Sequence, residues 1–236
     1  MSGAAETPEK TRAVRGRRVV IAGATSASGL ACARELAAAG AEVIAVGRDA
    51  ARLTALVDEV RAATGREVVA EVCDLTDEAA VDSLVARIHA AGGPVDGVVH
   101  LVGGWRGGGG LAGQTDKDYR ALEPALTSLR HVSRAVDPDL QASTAGRLAI
   151  VSSTSVERPL AGSANYAALK AAAEAWTRAV GQGYAKAARD AGEALRAASV
   201  IFRVKSLEGL EADLGRAVVA LWEASPDDLS APIALG

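Results

Sequence analysis

Short apolar runs alternate with longer mixed segments along almost the whole chain. Seven of these runs are rich in Val, Ile and Ala and predict strands; they cover residues 19–22, 43–46, 68–72, 95–102, 148–151, 199–202 and 232–235. The segments between them have helical composition and end at a glycine or open at a capping residue; they cover residues 30–39, 50–64, 76–91, 115–136, 165–191 and 210–224. This alternation predicts right-handed β-α-β units and one parallel sheet with helices on both faces.

The alternation also bounds the domain organisation. Neither a linker nor a repeat of roughly 20 to 50 residues interrupts it, so we predict one doubly wound α/β domain over residues 17–236. Residues 1–16 mix Glu, Pro, Lys and Arg without an apolar core, which argues against a secretory signal and predicts a mobile N-terminal tail. No apolar run reaches the roughly 18 residues that a membrane-spanning helix needs.

Composition and charge narrow the class of partner. The 236 residues are 49% hydrophobic and 23% charged, as in ordinary globular proteins, which argues against a disordered or fibrous chain. A formal net charge of −3 gives no electrostatic reason to expect nucleic acid or an anionic membrane as a partner. Cys32 and Cys73 do not form a disulfide framework or a zinc pattern, so we expect both to be reduced and buried in a cytoplasmic protein.

A turn of small residues joins the first predicted strand to the first predicted helix. Backbone N–H groups at a helix N-terminus, together with the helix dipole, favour a pyrophosphate. The turn therefore predicts a dinucleotide site, with contacts expected from Gly23, Thr25, Ser26, Ala27, Gly29 and Leu30. The alternative is a tight strand-to-helix turn that binds no ligand.

The end of the second predicted strand indicates which dinucleotide is bound. A carboxylate at this position accepts a hydrogen bond from the adenosine ribose, whereas a basic residue pairs with a 2′-phosphate. The chain has Arg48 here, directly after Gly47, and a guanidinium suits a phosphate. We therefore predict NADP, bound as NADPH, and the alternative is an exposed arginine that opens a loop.

Tyr166 and Lys170 are the candidate proton-transfer residues. They lie four residues apart on a predicted helix, so both project from one face. A tyrosine with its ordinary pKa near 10 exchanges protons poorly at pH 7 until a nearby cation stabilises the phenolate. Lys170 can supply that cation. The alternative is an exposed tyrosine and lysine on an ordinary helix.

These residues make the sequence similar to the short-chain dehydrogenase/reductase family over residues 17–236. The resemblance is carried by Tyr166-Ala-Ala-Leu-Lys170, which matches the Y-x-x-x-K signature, and by Ser153 at the end of the fifth predicted strand. Asp74-Leu75 after the third strand and the turn after the fourth strand extend it. The resemblance implies a single Rossmann-like domain and an NADP-dependent oxidoreductase acting on CH–OH or C=O groups.

The resemblance also implies a role for each residue. Tyr166 would exchange a proton with the substrate oxygen, Ser153 would hold the carbonyl oxygen, and Lys170 would also bind the nicotinamide ribose. Further cofactor contacts are implied for Asp74 and Leu75 at the adenine and for His100, Val102 and Gly103 in the turn after the fourth strand.

Three positions depart from the family pattern. Ala125 stands where the family has an asparagine that positions a water beside the lysine, which leaves the proton relay open. The turn usually read as Asn-Asn-Ala-Gly is His100-Leu101-Val102-Gly103 here, and His100 either titrates near the cofactor or is a packed strand-end histidine. The Pro-Gly pair after the sixth strand is replaced around residues 202–205.

The region that covers the substrate in the family is short in this chain. Only residues 203–209 connect the sixth strand to the last helix, which predicts an open pocket and either a bulky substrate or closure by another segment or subunit. The glycine-rich segment 103–110 is the candidate, with Trp105 to stack on a flat substrate and Arg106 to meet an anion. This turn is similar to that of dihydropteridine reductases, which suggests a planar or quinonoid substrate. The alternative is a disordered connector with Trp105 packed on the rim.

The sequence therefore predicts an NADPH-dependent reductase that transfers hydride to a ketone or conjugated carbonyl of a bulky or planar small molecule. The alternatives are a non-redox enzyme on the same scaffold (a cyclase, dehydratase or isomerase) and a cofactor-binding protein without catalysis. The helix after Tyr166 carries an apolar stripe formed by Ala172, Trp176, Val180 and Tyr184. In the family this helix forms part of a subunit interface, so the resemblance implies a homodimer or homotetramer. The alternative is that the stripe is core.

Overall fold

The structure, a computed structural model, describes residues 13–236. The predicted mobile tail therefore lies outside the described residues as far as residue 12. Beyond that point the chain is already part of the fold, because Val14 is 1% exposed and packs in the core. The Gly16 N–H also donates to the Gly40 carbonyl at 2.9 Å. The folded domain thus includes residues ahead of the predicted boundary at residue 17.

Within residues 13–236 seven strands form one parallel sheet in the order β3-β2-β1-β4-β5-β6-β7. They are β1 Arg18–Ala22, β2 Glu42–Gly47, β3 Val68–Val72, β4 Gly97–His100, β5 Arg147–Ser153, β6 Ala198–Val204 and β7 Ile233–Ala234. The strand order reverses direction between β1 and β4. In open α/β sheets the crevice outside the carboxyl ends of the strands at such a switch point is where ligands bind. The predicted doubly wound α/β fold is confirmed.

Seven α-helices cover the two faces of the sheet in the described residues. They are α1 Ala27–Ala38, α2 Ala50–Thr64, α3 Glu78–Gly92, α4 Asp116–Leu122, α5 Pro124–Ala142, α6 Ala164–Ala191 and α7 Glu211–Ala220. Alternate residues of β1 point to opposite faces: Val19 and Ile21 join the core beneath α1, α2 and α7, whereas Val20 and Ala22 join the core beneath α3, α5 and α6.

Two predicted elements differ from the structure. The helix predicted over residues 115–136 is two helices, α4 and α5, which meet at Glu123. Pro124 explains the break, because a proline has no N–H to donate into the preceding turn and is favoured at the first position of a helix. The strand predicted over residues 95–102 is only Gly97–His100, since the Val95 N–H donates to the Asp139 side chain instead of a strand.

The apolar stripe of α6 is buried at one of its four positions. Tyr184 is 2% exposed, whereas Ala172, Trp176 and Val180 are half-buried, and the Trp176 indole N–H donates to the Ser133 hydroxyl on α5 at 2.9 Å. Core packing therefore accounts for Tyr184, and the homo-oligomer stays a prediction. The connection from β6 to α7 spans only residues 205–210. The predicted shortness of this connection is therefore confirmed.

Candidate active site

The turn between β1 and α1 requires glycine at two positions. Gly23 has φ +85°, and a Cβ there would lie 2.9 Å from the Val102 backbone nitrogen. A Cβ at Gly29 would lie 2.2 Å from the Ala24 carbonyl oxygen, so the helix can approach the turn only without a side chain. The Ser26 hydroxyl caps α1 by accepting from the Gly29 N–H at 3.0 Å, which starts the helix three residues earlier than the sequence pattern predicted.

A cleft of about 390 Å³ opens beside this turn at the switch point of the sheet. The predicted cofactor residues that line it are Gly23, Thr25, Ser26, Arg48, Asp74, Leu75, Val102 and Gly103. Ala27 and Leu30 line a separate depression on the α1 and α2 side, and Gly29 serves the close approach of α1. The cleft thus joins the small-residue turn to the carboxyl ends of β2, β3 and β4.

Two arginines border the cleft at the end of β2. Arg48 follows the strand directly, and Arg52 lies in the first turn of α2, where its guanidinium donates to the Thr25 carbonyl at 2.6 Å. The Arg52 contact ties α2 to the small-residue turn. Sequence reasoning missed Arg52. The available signal was its position in the first turn of the helix that begins directly after Arg48.

Asp74 borders the same cleft after β3, the strand next to β2. Its carboxylate accepts from the backbone N–H and the hydroxyl of Thr76, at 3.0 and 2.7 Å. These hydrogen bonds lower the pKa of Asp74 below its ordinary value, and the nearby charge of Arg48 acts in the same direction. This side of the cleft therefore carries a fixed carboxylate.

Tyr166 and Lys170 lie in a second, smaller pocket next to the cleft. The Lys170 ammonium donates to the Val151 carbonyl at 2.7 Å and lies 5.7 Å from the centre of the Tyr166 ring. Both side chains line this pocket of about 30 Å³ together with Gly103, which also borders the large cleft. Ser153 ends β5 and lines neither pocket; its hydroxyl accepts from the N–H and the hydroxyl of Ser155, at 3.1 and 2.9 Å.

Burial perturbs both titrating groups of this set. It lowers the pKa of Lys170 from 10.5 to about 8, and the negative charge of Glu174 opposes that change. It raises the pKa of Tyr166 above its ordinary value, and the Ser153 side chain opposes the rise. At neutral pH the pair is therefore a protonated phenol beside an ammonium, which is the state from which Tyr166 can donate a proton.

His100 is a packed and neutral histidine. It is 5% exposed, and its Nε2 lies 3.1 Å from the Ser128 hydroxyl, which itself donates to the Pro124 carbonyl at 2.7 Å. Burial, with the positive charge of Lys170, lowers the pKa of His100 to about 3. Of the two interpretations of this residue, the structure favours the packed strand-end histidine. Ala125 borders both pockets and offers no polar side chain there.

Glu174, in the helical turn of α6 after Lys170, forms a buried ion pair with Arg203. The Glu174 carboxylate, 0% exposed, accepts from the Arg203 Nε and Nη2 at 2.8 and 2.6 Å. Arg203 also pairs with Glu157, which follows Ser153 by four residues. Sequence reasoning did not single out this pair, because only the fold brings β6 against α6.

The glycine-rich segment has neither helix nor strand, and its Gly108 N–H donates to the Gly162 carbonyl at 2.7 Å. Trp105 is 59% exposed and lines neither pocket, and its ring packs beside Gly107. The Arg106 guanidinium donates to the Trp105 carbonyl at 2.8 Å. Both side chains therefore lie at the rim of the site rather than inside it.

Three further findings concern metal ligands, membrane-spanning helices and the cysteines. In residues 13–236, no group of three or more His, Cys, Asp or Glu side chains is placed to hold a metal ion. No helix in the same range is long and apolar enough to cross a membrane. Cys32 and Cys73 are both free and buried.

Comparison with known sequences gives one family and several relatives. The family model for short chain dehydrogenases matches residues 17–188. A 2,3-dihydro-2,3-dihydroxybenzoate dehydrogenase of Bacillus subtilis is 32% identical over 171 residues, which cover 72% of this chain and 65% of the relative. A predicted ketoacyl reductase of the granaticin polyketide synthase of Streptomyces violaceoruber is 34% identical over 167 residues, covering 69% of this chain and 60% of the relative. The chain thus spans less than two thirds of the length of these curated relatives.

Solved structures share the fold at low sequence identity. A metagenomic short-chain oxidoreductase in complex with NADP has a TM-score of 0.80 at 24% identity, over 94% of this chain and 98% of the other. An NADPH-bound short chain oxidoreductase of Pseudomonas aeruginosa, whose catalytic centre is described as atypical, has a TM-score of 0.78 at 20% identity, over 93% and 95%.

Proposed function

The chain belongs to the short-chain dehydrogenase family, and from that premise we propose that it is an NADPH-dependent reductase of a ketone or conjugated carbonyl. The observation that carries the proposal is that Tyr166 and Lys170 line a small pocket that shares Gly103 with a cleft bordered by two arginines. The Ser153 side chain, which opposes the rise in the pKa of Tyr166, completes the set. The substrate is a bulky or planar small molecule, since the short connection after β6 leaves the site open.

The residues of the cleft fit a dinucleotide. The Gly23 and Gly29 positions form a cradle that a Cβ would fill, and α1 points its N-terminus at that cradle. Arg48 and Arg52 supply two positive charges where a 2′-phosphate would lie, which supports NADPH over NADH. When bound, the nicotinamide supplies the hydride.

The side chains of the chain then handle the proton and the carbonyl oxygen. Ser153 holds the substrate oxygen by a hydrogen bond, and Tyr166 donates its phenolic proton to that oxygen as negative charge develops there. Lys170 stabilises the resulting phenolate, because its ammonium lies 5.7 Å from the ring centre and is held in place by the Val151 carbonyl. Transfer of a proton from solvent restores Tyr166.

The first test is cofactor affinity. NADPH and NADH are titrated into the purified protein, and Arg48→Ala is expected to weaken NADPH binding by roughly 10- to 100-fold, the value of a charge-assisted hydrogen bond. NADH binding should change little. Arg34→Ala is the matched control, since Arg34 lies outside the cleft and pairs with Glu59. Equal effects on the two cofactors, or no effect, would contradict the assignment of NADPH.

The second test is turnover. NADPH oxidation is followed with planar ketones and quinones, and Tyr166→Phe is expected to lower kcat by about 10²- to 10⁴-fold, the usual contribution of a positioned acid. Tyr119→Phe on α4 is the matched control. Full turnover by Tyr166→Phe would refute the mechanism. A product at the oxidation state of its substrate would instead support the non-redox alternative, which the missing asparagine at Ala125 favours.

Assembly and location remain part of the same proposal. We expect a homodimer or homotetramer, as the family resemblance implies, and a cytoplasmic location, from the two free and buried cysteines. Sedimentation of the purified protein at several concentrations tests the assembly, and a monomer at all of them would contradict it.

A further inference from the structure

One side chain, that of Gln114, joins the glycine-rich segment to the start of the catalytic helix. Its Nε2 donates to the Gly162 carbonyl at 3.0 Å and to the Gly108 carbonyl at 3.1 Å. Its Oε1 accepts from the Asn165 N–H at 3.1 Å. Gln114 therefore contacts three segments: the segment of residues 103–113, which we call the flap, the loop before α6, and the first turn of α6.

The Asn165 contact matters because α6 has no cap of its own. Ser163 precedes the helix but makes no side-chain hydrogen bond to it. The first N–H groups of a helix have no partner within the helix and must find one elsewhere. Gln114, which is 51 positions away in the chain, accepts from the Asn165 N–H. The Asn165 side-chain amide in turn donates to the Thr115 carbonyl at 3.2 Å. Tyr166 is the next residue along the helix.

The flap itself is built to meet the loop before α6. The Gly108 N–H donates to the Gly162 carbonyl at 2.7 Å, and a Cβ at Gly107 would lie 2.6 Å from the same oxygen. A Cβ at Gly113 would lie 2.5 Å from the Gly108 carbonyl oxygen. Gly108, Gly109 and Gly110 also have φ of +117°, +67° and +63°, where a side chain is strained. These glycines therefore allow the backbone conformation in which the flap contacts the loop before α6, rather than making the segment mobile.

The two joined segments carry exposed apolar side chains next to the site. Trp105 and Leu111 of the flap are 59% and 71% exposed, and Leu160 of the loop before α6 is 71% exposed. A substrate that covers these side chains contacts the flap and the loop before α6. Gln114 connects both of these segments to the helix that bears Tyr166.

We propose that Gln114 is a positioning residue that locks the flap to the first turn of α6 and so holds Tyr166 in place when substrate is bound. The inference rests on the proposed reductase function. Gln114 lines neither the cofactor cleft nor the small pocket beside Tyr166, so it acts through the backbone of Gly162 and Asn165.

The kinetic test compares Gln114→Ala and Gln114→Glu with the wild type. Gln114→Ala loses all of these hydrogen bonds. We expect kcat to fall about tenfold, which corresponds to roughly the free energy that one hydrogen bond contributes to orienting Tyr166. The Kd for NADPH should stay within twofold. Gln114→Glu keeps an acceptor for the Asn165 N–H but loses the donors to the flap. Its second carboxylate oxygen would face the Gly108 and Gly162 carbonyls, which separates the flap from α6. Gln114→Glu should therefore raise KM for a large planar ketone and lower kcat for a small ketone less than Gln114→Ala does.

Hydrogen exchange of the enzyme without substrate provides a readout that does not need turnover. Gln114→Ala should speed exchange in the flap and in the first turn of α6 at least tenfold. Gln182→Ala is the matched control, because Gln182 is exposed farther along the same helix. Exchange unchanged in both segments, or a kcat for Gln114→Ala within twofold of wild type, would overturn the positioning role. If the wild type oxidises no NADPH, the proposed function fails, and the exchange result alone then decides whether the lock exists.

Discussion

Replacement of Glu174 by glutamine tests most directly how much a buried charge contributes to the stability of this protein. Glu174 lies one helical turn beyond Lys170. Its carboxylate is 0% exposed and accepts two bonds from Arg203 and one from Arg178. Glutamine has nearly the same size, so Glu174→Gln removes the charge without leaving a cavity. The variant therefore isolates what the charge contributes.

The expected magnitude follows from the surroundings of the two arginines. Arg178 is 51% exposed and can turn to water, so its lost bond contributes little. Arg203 is 16% exposed and would keep only Glu157, which is 62% exposed. Breaking a buried pair by removing one partner costs about 3–5 kcal/mol. Since Glu157 partly compensates Arg203, we expect a loss near the lower end, about 3 kcal/mol in the free energy of unfolding.

Urea denaturation of the protein without ligand measures this loss. Glu78→Gln is the matched control, because Glu78 pairs with Arg134 at 2.8 Å but the two side chains are 55% and 54% exposed. A pair of that kind is worth less than about 1 kcal/mol. If Glu174→Gln and Glu78→Gln destabilise the protein equally, the argument from burial is wrong.

Three further outcomes follow from the same structure. Because burial lowers the pKa of His100 to about 3, the unfolded chain binds a proton below pH 6.5 that the folded chain does not. Stability should therefore fall by up to about 1.4 kcal/mol per pH unit from pH 6.5 towards pH 3. His100→Asn should remove that loss when urea midpoints at pH 7 and pH 5 are compared, and an unchanged slope would contradict it. Gly29→Ala should destabilise the protein by about 1–3 kcal/mol, since its Cβ meets the Ala24 carbonyl, whereas Gly104→Ala has open space and should lie within about 0.5 kcal/mol of wild type in the same assay. The pKa of Lys170 is about 8, and its cation is present below that pH, so kcat should decline as pH rises through 8; a decline only near pH 10 would refute this assignment.

Much of the architecture could be predicted from local pattern. The β-branched runs placed all seven strands of the described residues within a few positions, and α2 agrees with its predicted bounds at both ends. These predictions succeed because alternating burial on two sheet faces restricts which residues can occupy each position. The pattern failed at Pro124, where composition remains helical but the backbone cannot donate into the preceding turn.

Candidate chemistry was predictable where it depends on neighbours in sequence. Tyr166 and Lys170 share a helix face because of their spacing, and Gly23 and Gly29 bracket one turn. Ser153 required the strand order as well, since it reaches Tyr166 only when β5 lies beside α6.

The succession of strands and helices, the small-residue turn and the spacing of Tyr166 and Lys170 can thus be inferred from local pattern. That Gln114 caps α6, that Glu174 pairs with Arg203 and that His100 is neutral follows only from how distant segments pack. The difference lies in the range of the interactions. Helix and strand patterns arise from residues a few positions apart, whereas long-range hydrogen bonds and the loss of solvent around a charge depend on which distant segments pack together.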